Sequence, residues 1–217
     1  MNPSQLRVVA ARIRPLVLAM LVWWCAITPA AATVIIFDNF PGTGGITGGG
    51  GFQLGDEIDV PQSAPRFVTE LDFGFTNGNT GSPTANVQAF LYANDGAGGS
   101  PGTLLWESAV VDAVIINSNH TVVAFSVPSI LVPTTFTATA SITDQVGNFG
   151  YAAATGANIG TFVSAWIGSP GAWIAIPPAF EIETRVLAMP VSEPSTPVLA
   201  LLALVVCISI NRKRTLI

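Results

Sequence analysis

The sequence predicts an all-β protein, a jelly-roll-like antiparallel β-sandwich. Three observations lead there: apolar residues recur with period two, turn residues punctuate them at short intervals, and no stretch between the chain ends shows helical periodicity. Phe67, Leu71, Phe73 and Phe75 alternate with Glu70, Asp72, Gly74 and Thr76. Phe180, Ile182, Thr184 and Val186 alternate with Glu181, Glu183 and Arg185. The apolar sets belong in a core and the carboxylates on the solvent face. Further strands are expected at 34–37, 86–93, 104–111, 120–127, 136–142, 149–153, 162–167 and 173–176. The breaks between them hold Asn77-Gly78-Asn79, Asn94-Asp95-Gly96, Ser100-Pro101-Gly102, Val146-Gly147-Asn148 and Ser169-Pro170-Gly171. About ten short strands at this spacing suit a two-sheet sandwich.

Composition divides the 217 residues into three regions. Residues 1–32 read as a secretory signal peptide. Arg7, Arg12 and Arg14 precede an apolar run from Leu16 to Ile27, and Pro29-Ala30-Ala31-Ala32 follows. The small residues Ala30 and Ala32 fit positions −3 and −1 of a signal peptidase site, with cleavage after Ala32. Residues 33–190 form one sandwich domain, long enough to bury a core without disulfides. Both cysteines, Cys25 and Cys207, lie outside it, so it offers no thiol nucleophile and no cysteine-ligated metal. Within it, residues 41–51 hold seven glycines in eleven residues and read as a loop. A phosphate cradle would want a following helix and a lysine, and neither is present.

Charge excludes a class of partner. Across residues 33–192 two arginines, Arg66 and Arg185, stand against twelve carboxylates, a formal charge of −10. Such a surface repels phosphate backbones, so nucleic acid is not an expected partner. Cations, amines and neutral glycans remain.

The remaining segment, 191–217, carries Glu193-Pro194-Ser195-Thr196, an apolar run Val198–Ile210, and then Arg212-Lys213-Arg214. The run reads as a transmembrane helix over 195–211, with the basic cluster on the cytoplasmic side. The order of motif, apolar run and terminal basic cluster resembles the PEP-CTERM sorting signal of Gram-negative bacteria, with Ser192-Glu193-Pro194 where that family usually has Pro-Glu-Pro. The resemblance implies recognition by an exosortase, removal of the helix, and association with exopolysaccharide. It also implies an inner-membrane precursor, bound through its helix, and a mature cell-surface or extracellular protein. The stretch from Tyr92-Ala93-Asn94-Asp95-Gly96 to Ser100-Pro101-Gly102-Thr103-Leu104-Leu105 resembles a hairpin in sandwich domains of similar surface proteins.

Candidate chemistry is sparse. His120, the one histidine, would have to anchor any Ser-His-Asp triad, yet it follows Asn117-Ser118-Asn119 and reads as a solvated turn residue. Glu70 and Asp72 share a strand face, a spacing that a carboxylate-pair glycosidase tolerates. Asp56, Glu57 and Asp59 read as an acidic loop, and calcium takes clustered oxygens from such segments; no other cofactor is expected. Trp106, Trp166 and Trp173 are available for stacking on sugars or for the core. The reading that follows is a non-enzymatic structural protein of the cell surface or extracellular matrix. The alternatives are a lectin-like glycan-binding module and, third, an envelope glycosidase.

Overall fold

The computed structural model describes residues 32–42, 44–46, 50–64, 66–77, 81–114, 120–176 and 180–190. Thirteen strands run through them: β1 Val34–Asp38, β2 Gly44–Ile46, β3 Gln53–Asp59, β4 Phe67–Asn77, β5 Thr84–Ala93, β6 Leu104–Glu107, β7 Val111–Val114, β8 His120–Leu131, β9 Thr135–Val146, β10 Phe149–Ala153, β11 Thr161–Ser169, β12 Ala172–Ile176 and β13 Thr184–Met189. The only helical element among the described residues is one 3-10 turn, Ala97–Gly99.

The strands form two antiparallel sheets. The six-stranded sheet runs β1-β13-β4-β10-β2, with β8 on the other edge of β4. The seven-stranded sheet runs β12-β11-β3-β9-β5-β6, with β7 also on β5. This corrects the jelly-roll expectation: both sheets stay open, and neither curls into that closed form. The spacing of turn residues sets how many strands there are, not which of them pair. β4 is long enough to take β13 and β10 end to end along one edge while β8 covers the other.

Period two explains the core. Leu71, Phe73 and Phe75 from β4 and Val186 from β13 face Leu54 and Ile58 from β3, Val87 and Leu91 from β5, and Phe136 and Ile142 from β9. These side chains leave water together, which is the main stabilising term of such a fold. The Tyr151 hydroxyl crosses the gap and donates to the Ala140 carbonyl at 2.9 Å. One phase error lies at the start of β4. A bulge between Val68 and Glu70 shifts the register, so Val68 is buried and Phe67 only half-buried. Phe180 is likewise not core but 47% exposed, because the regular strand begins only at Thr184.

Two stretches read as loops contain strands. The Gly-rich segment supplies β2, which pairs with β10. The acidic segment is β3, a central strand between β11 and β9. The hairpin from Tyr92 to Leu105 is present as the β5–β6 connection. Asp95 fixes it by accepting from the Thr103 amide and hydroxyl, each at 2.6 Å, and these bonds hold its carboxyl below the usual aspartate range.

The transmembrane helix also needs correction. No helix among the described residues is long and apolar enough to cross a membrane, and 195–211 lies outside them. The membrane as a partner and the inner-membrane precursor rested on that helix and are not carried forward. Ala30, the motif Glu193–Thr196 and the cluster Arg212–Arg214 also lie outside the described residues, whereas Ala32 is exposed just before β1.

Candidate functional site

The three residues read as a calcium site do not converge. Strand alternation sends Asp56 between the sheets and Glu57 and Asp59 to the opposite face of β3. Asp56 is fully buried, accepting from the Asn39 amide and the Ile182 backbone N–H, both at 3.2 Å. Burial pushes its pKa up to about 8, with nearby Glu181 adding to the rise. Asp56 is therefore largely protonated at neutral pH, a neutral polar joint between the sheets. Asn39 completes the joint, donating to the Ile182 carbonyl at 2.8 Å and accepting from the Thr184 N–H at 2.6 Å. Glu57 accepts from the Trp166 indole N–H at 2.8 Å, and exposed Asp59 from the Thr135 hydroxyl at 3.0 Å. Among the described residues no group of three or more His, Cys, Asp or Glu side chains is placed to hold a metal ion.

The outer face of the six-stranded sheet is charged but covered. Asp72 is 1% exposed and takes Arg185 Nε at 2.8 Å and Nη2 at 2.5 Å on one oxygen. Glu183, also buried, lies across Gly74, where any Cβ would collide with its carboxylate. It accepts from the Gly42 N–H on one oxygen and pairs with His120 Nε2 on the other. Phe40 seals the group, edge-on to His120 at 6.4 Å and beneath the Arg185 guanidinium at 5.5 Å. The expectation that Asp72, Glu181 and Glu183 face solvent is thus wrong; His120, read as a solvated turn residue, is exposed but opens β8 and pairs with Glu183. Period two put Asp72 and Glu183 on the right face; it gave no sign that residues 40–42 cross over that face. Glu70, by contrast, is half-buried and Asp72 is committed to Arg185, so the two do not form an open carboxylate pair.

The tryptophans separate into two settings. On the outer face of the seven-stranded sheet, Trp166 is buried, and Trp173 meets Tyr92 edge-on at 5.4 Å with Phe90 stacked behind. Threonines of β9 fill the space between, Thr137 donating to Asn94 at 2.7 Å and Thr139 to Gln53 at 2.8 Å. Tyr92 is sealed beneath this layer, and burial raises the pKa of its hydroxyl.

Trp106 stands elsewhere, beside a groove of about 300 Å³ on the side where both sheets end. One wall is β8, which among the described strands pairs only with β4; the other is β6 and the bend into β7, which pair only with β5. Trp106 sits opposite Leu91, half-buried at the rim of the core. Glu107, Ala124 and Ser126 are exposed around the opening. The bend is pinned: the Ser108 hydroxyl accepts from the Ala89 N–H at 3.0 Å and donates to the Ala109 carbonyl at 2.6 Å, and Gln88 donates to the Ser108 carbonyl at 2.7 Å. Along β8 the free edge is interrupted by Pro128, which has no N–H, and by Ser129 at φ 54°. An aromatic face, hydroxyls and one carboxylate, with no cation among the lining residues, suit an uncharged, hydroxyl-bearing ligand. Trp106 was visible in the sequence as a candidate; Ser108 and Ser126 were not, because only the pairing of the two edges brings them together. No family model, curated protein or solved structure matches the chain.

Proposed function

We propose that this is an exported, non-enzymatic protein of a Gram-negative cell surface or extracellular matrix, sorted by an exosortase and associated with exopolysaccharide. One observation carries the reading: the folded unit fits between the two terminal signals with almost nothing to spare. β1 begins at Val34, two residues after Ala32, and β13 ends at Met189, four residues before Glu193. β1 and β13 pair antiparallel, Val34 beside Ala188, so the first and last strands of the folded unit lie side by side at one edge of the same sheet. Cleavage at either point would leave every strand intact.

The measurement is the intact mass of the protein from its native host, together with its distribution between cells and extracellular matrix. A mature chain beginning at Thr33 and lacking the apolar run beyond Pro194 is expected. A cytoplasmic protein that retains both ends would overturn the reading. A second reading, a lectin-like glycan-binding module, is favoured by the groove beside Trp106.

A further inference from the structure

We infer that the groove between β8 and the β6–β7 bend is a binding site for a glycan chain that carries no acidic groups, with Trp106 as its stacking surface. The inference rests on the surface-protein reading for the presence of glycan around the molecule, and on the groove itself for the site.

Volume and lining chemistry come first. About 300 Å³ is at the small end of ligand pockets and suits one sugar ring, with the chain continuing out of an open mouth. The partially positive C–H edges of a sugar ring pack against the negative face of an indole. Trp106 is half-buried, so its rim packing fixes the ring while leaving part of it to the groove. Polar residues border the opening: Glu107 is an exposed acceptor, and Ser126, beside Glu70 on the outward face of β8, is exposed along the opposite wall. The wall does not need to be ordered on binding, because Ser108 and Gln88 already hold the bend to β5. Preorganisation of this kind lowers the cost of association.

Charge then selects the class of glycan. The groove lining contains Glu107 and no basic side chain, and the domain around it is strongly acidic, with a formal charge of −10 when every carboxylate is counted. A uronic-acid or sulfated chain would meet like charge both at long range and at contact. A neutral chain meets none of this. An extended peptide pairing with β8 is the competing occupant, and Pro128 with Ser129 interrupts the edge it would need.

The test uses the exported protein and three probes: a neutral dextran oligosaccharide, a neutral β-linked glucan oligosaccharide and an oligoglucuronate, each titrated calorimetrically. Binding of at least one neutral probe, and none of oligoglucuronate, is expected. Ser126→Arg places a long charged side chain at the rim of the groove from an exposed position without touching the core, and should weaken that binding at least tenfold. Trp106→Phe keeps an aromatic rim with a smaller face and should weaken it several-fold, with an unchanged circular dichroism spectrum checking the fold. Neutral binding that survives Ser126→Arg overturns the site. Preference for oligoglucuronate overturns the ligand class. No binding to either neutral probe overturns the inference, while the surface-protein reading still stands or falls on the mass measurement.

Discussion

The two sides of the six-stranded sheet bury carboxylates in opposite ways. On the outer side, Asp72 and Glu183 lie beneath the Phe40–Gly42 segment with Arg185 and His120 against them. On the inner side, Asp56 reaches across from β3 and meets only the Asn39 amide, the Thr184 hydroxyl and the Ile182 N–H. All three are almost wholly out of water. Burial is thus met in two ways. On the outer side ion-pair partners offset the loss of hydration, whereas on the inner side Asp56 has only amides and a hydroxyl, and burial raises its pKa to about 8. The same strand pairings produce both outcomes, since Asn39 sits on the inner side and its neighbour Phe40 caps the outer one.

The largest expected effect tests the inner side. The folded pKa of Asp56, about 8, lies above its ordinary value of 3.8. Between those two pH values the folded protein holds a proton that the unfolded chain has released. Stability therefore falls as pH rises through that window, by up to about 1.4 kcal/mol per pH unit. Glu181, whose pKa burial also raises, acts in the same direction. Urea unfolding at pH 5.5 and 7.5 should show a loss of about 2–3 kcal/mol at the higher pH. Asp56→Asn, which cannot ionise, should remove most of that slope. An equal slope in the variant would mean that Asp56 is charged after all, and the contrast between the two sides would collapse.

The contrast also marks what was legible in the sequence. Alternation is a local property, so the chain displayed its strands and, through Leu71, Phe73, Phe75 and Val186, most of one core face. It could not display coverage. Whether Asp72 faces water depends on residues 40–42, thirty or more positions away. β3 was hidden by its own charges, because Asp56, Glu57 and Asp59 read as a loop when only one of them is buried and that one is protonated. Pairing order was hidden for a related reason: turns bound strands but do not choose neighbours, so the open sheets, and with them the groove, lay beyond a one-dimensional pattern. Trp106, Trp166 and Trp173 looked equivalent as sugar platforms, and only the sheet faces distinguish the rim residue from the two packed on the outer layer.

The outer side is tested by removing its cation. Arg185→Ala leaves Asp72 buried with no partner for either oxygen, since its other oxygen already lacks one. Breaking a buried pair from one side costs about 3–5 kcal/mol. Arg185 is partly exposed, and water entering its place lowers the expected loss to about 2–3 kcal/mol. Adding Asp72→Asn to Arg185→Ala should restore part of it by removing the stranded charge. Chemical denaturation of the two variants decides the point. If the double variant is no more stable than the single one, the loss comes from the Phe40 contact and not from the carboxylate.

The smallest effect sharpens the comparison, because it concerns the position two residues from Asp72 on the same face of β4. Glu70 lies beyond the segment 40–42 contacts, between Leu187 of β13 and Ser126 of β8, and is only half-buried. Its carboxylate keeps access to water, so no ion-pair partner is required there. Glu70→Ala should change stability by no more than about 0.5 kcal/mol, as surface substitutions do. It should also leave the pH slope untouched. A loss comparable to that of Arg185→Ala would show that the cover over this face extends past Asp72, and that Glu70 belongs to the buried charge cluster. A neutral result would place the boundary of that cover between two adjacent outward-facing positions of a single strand.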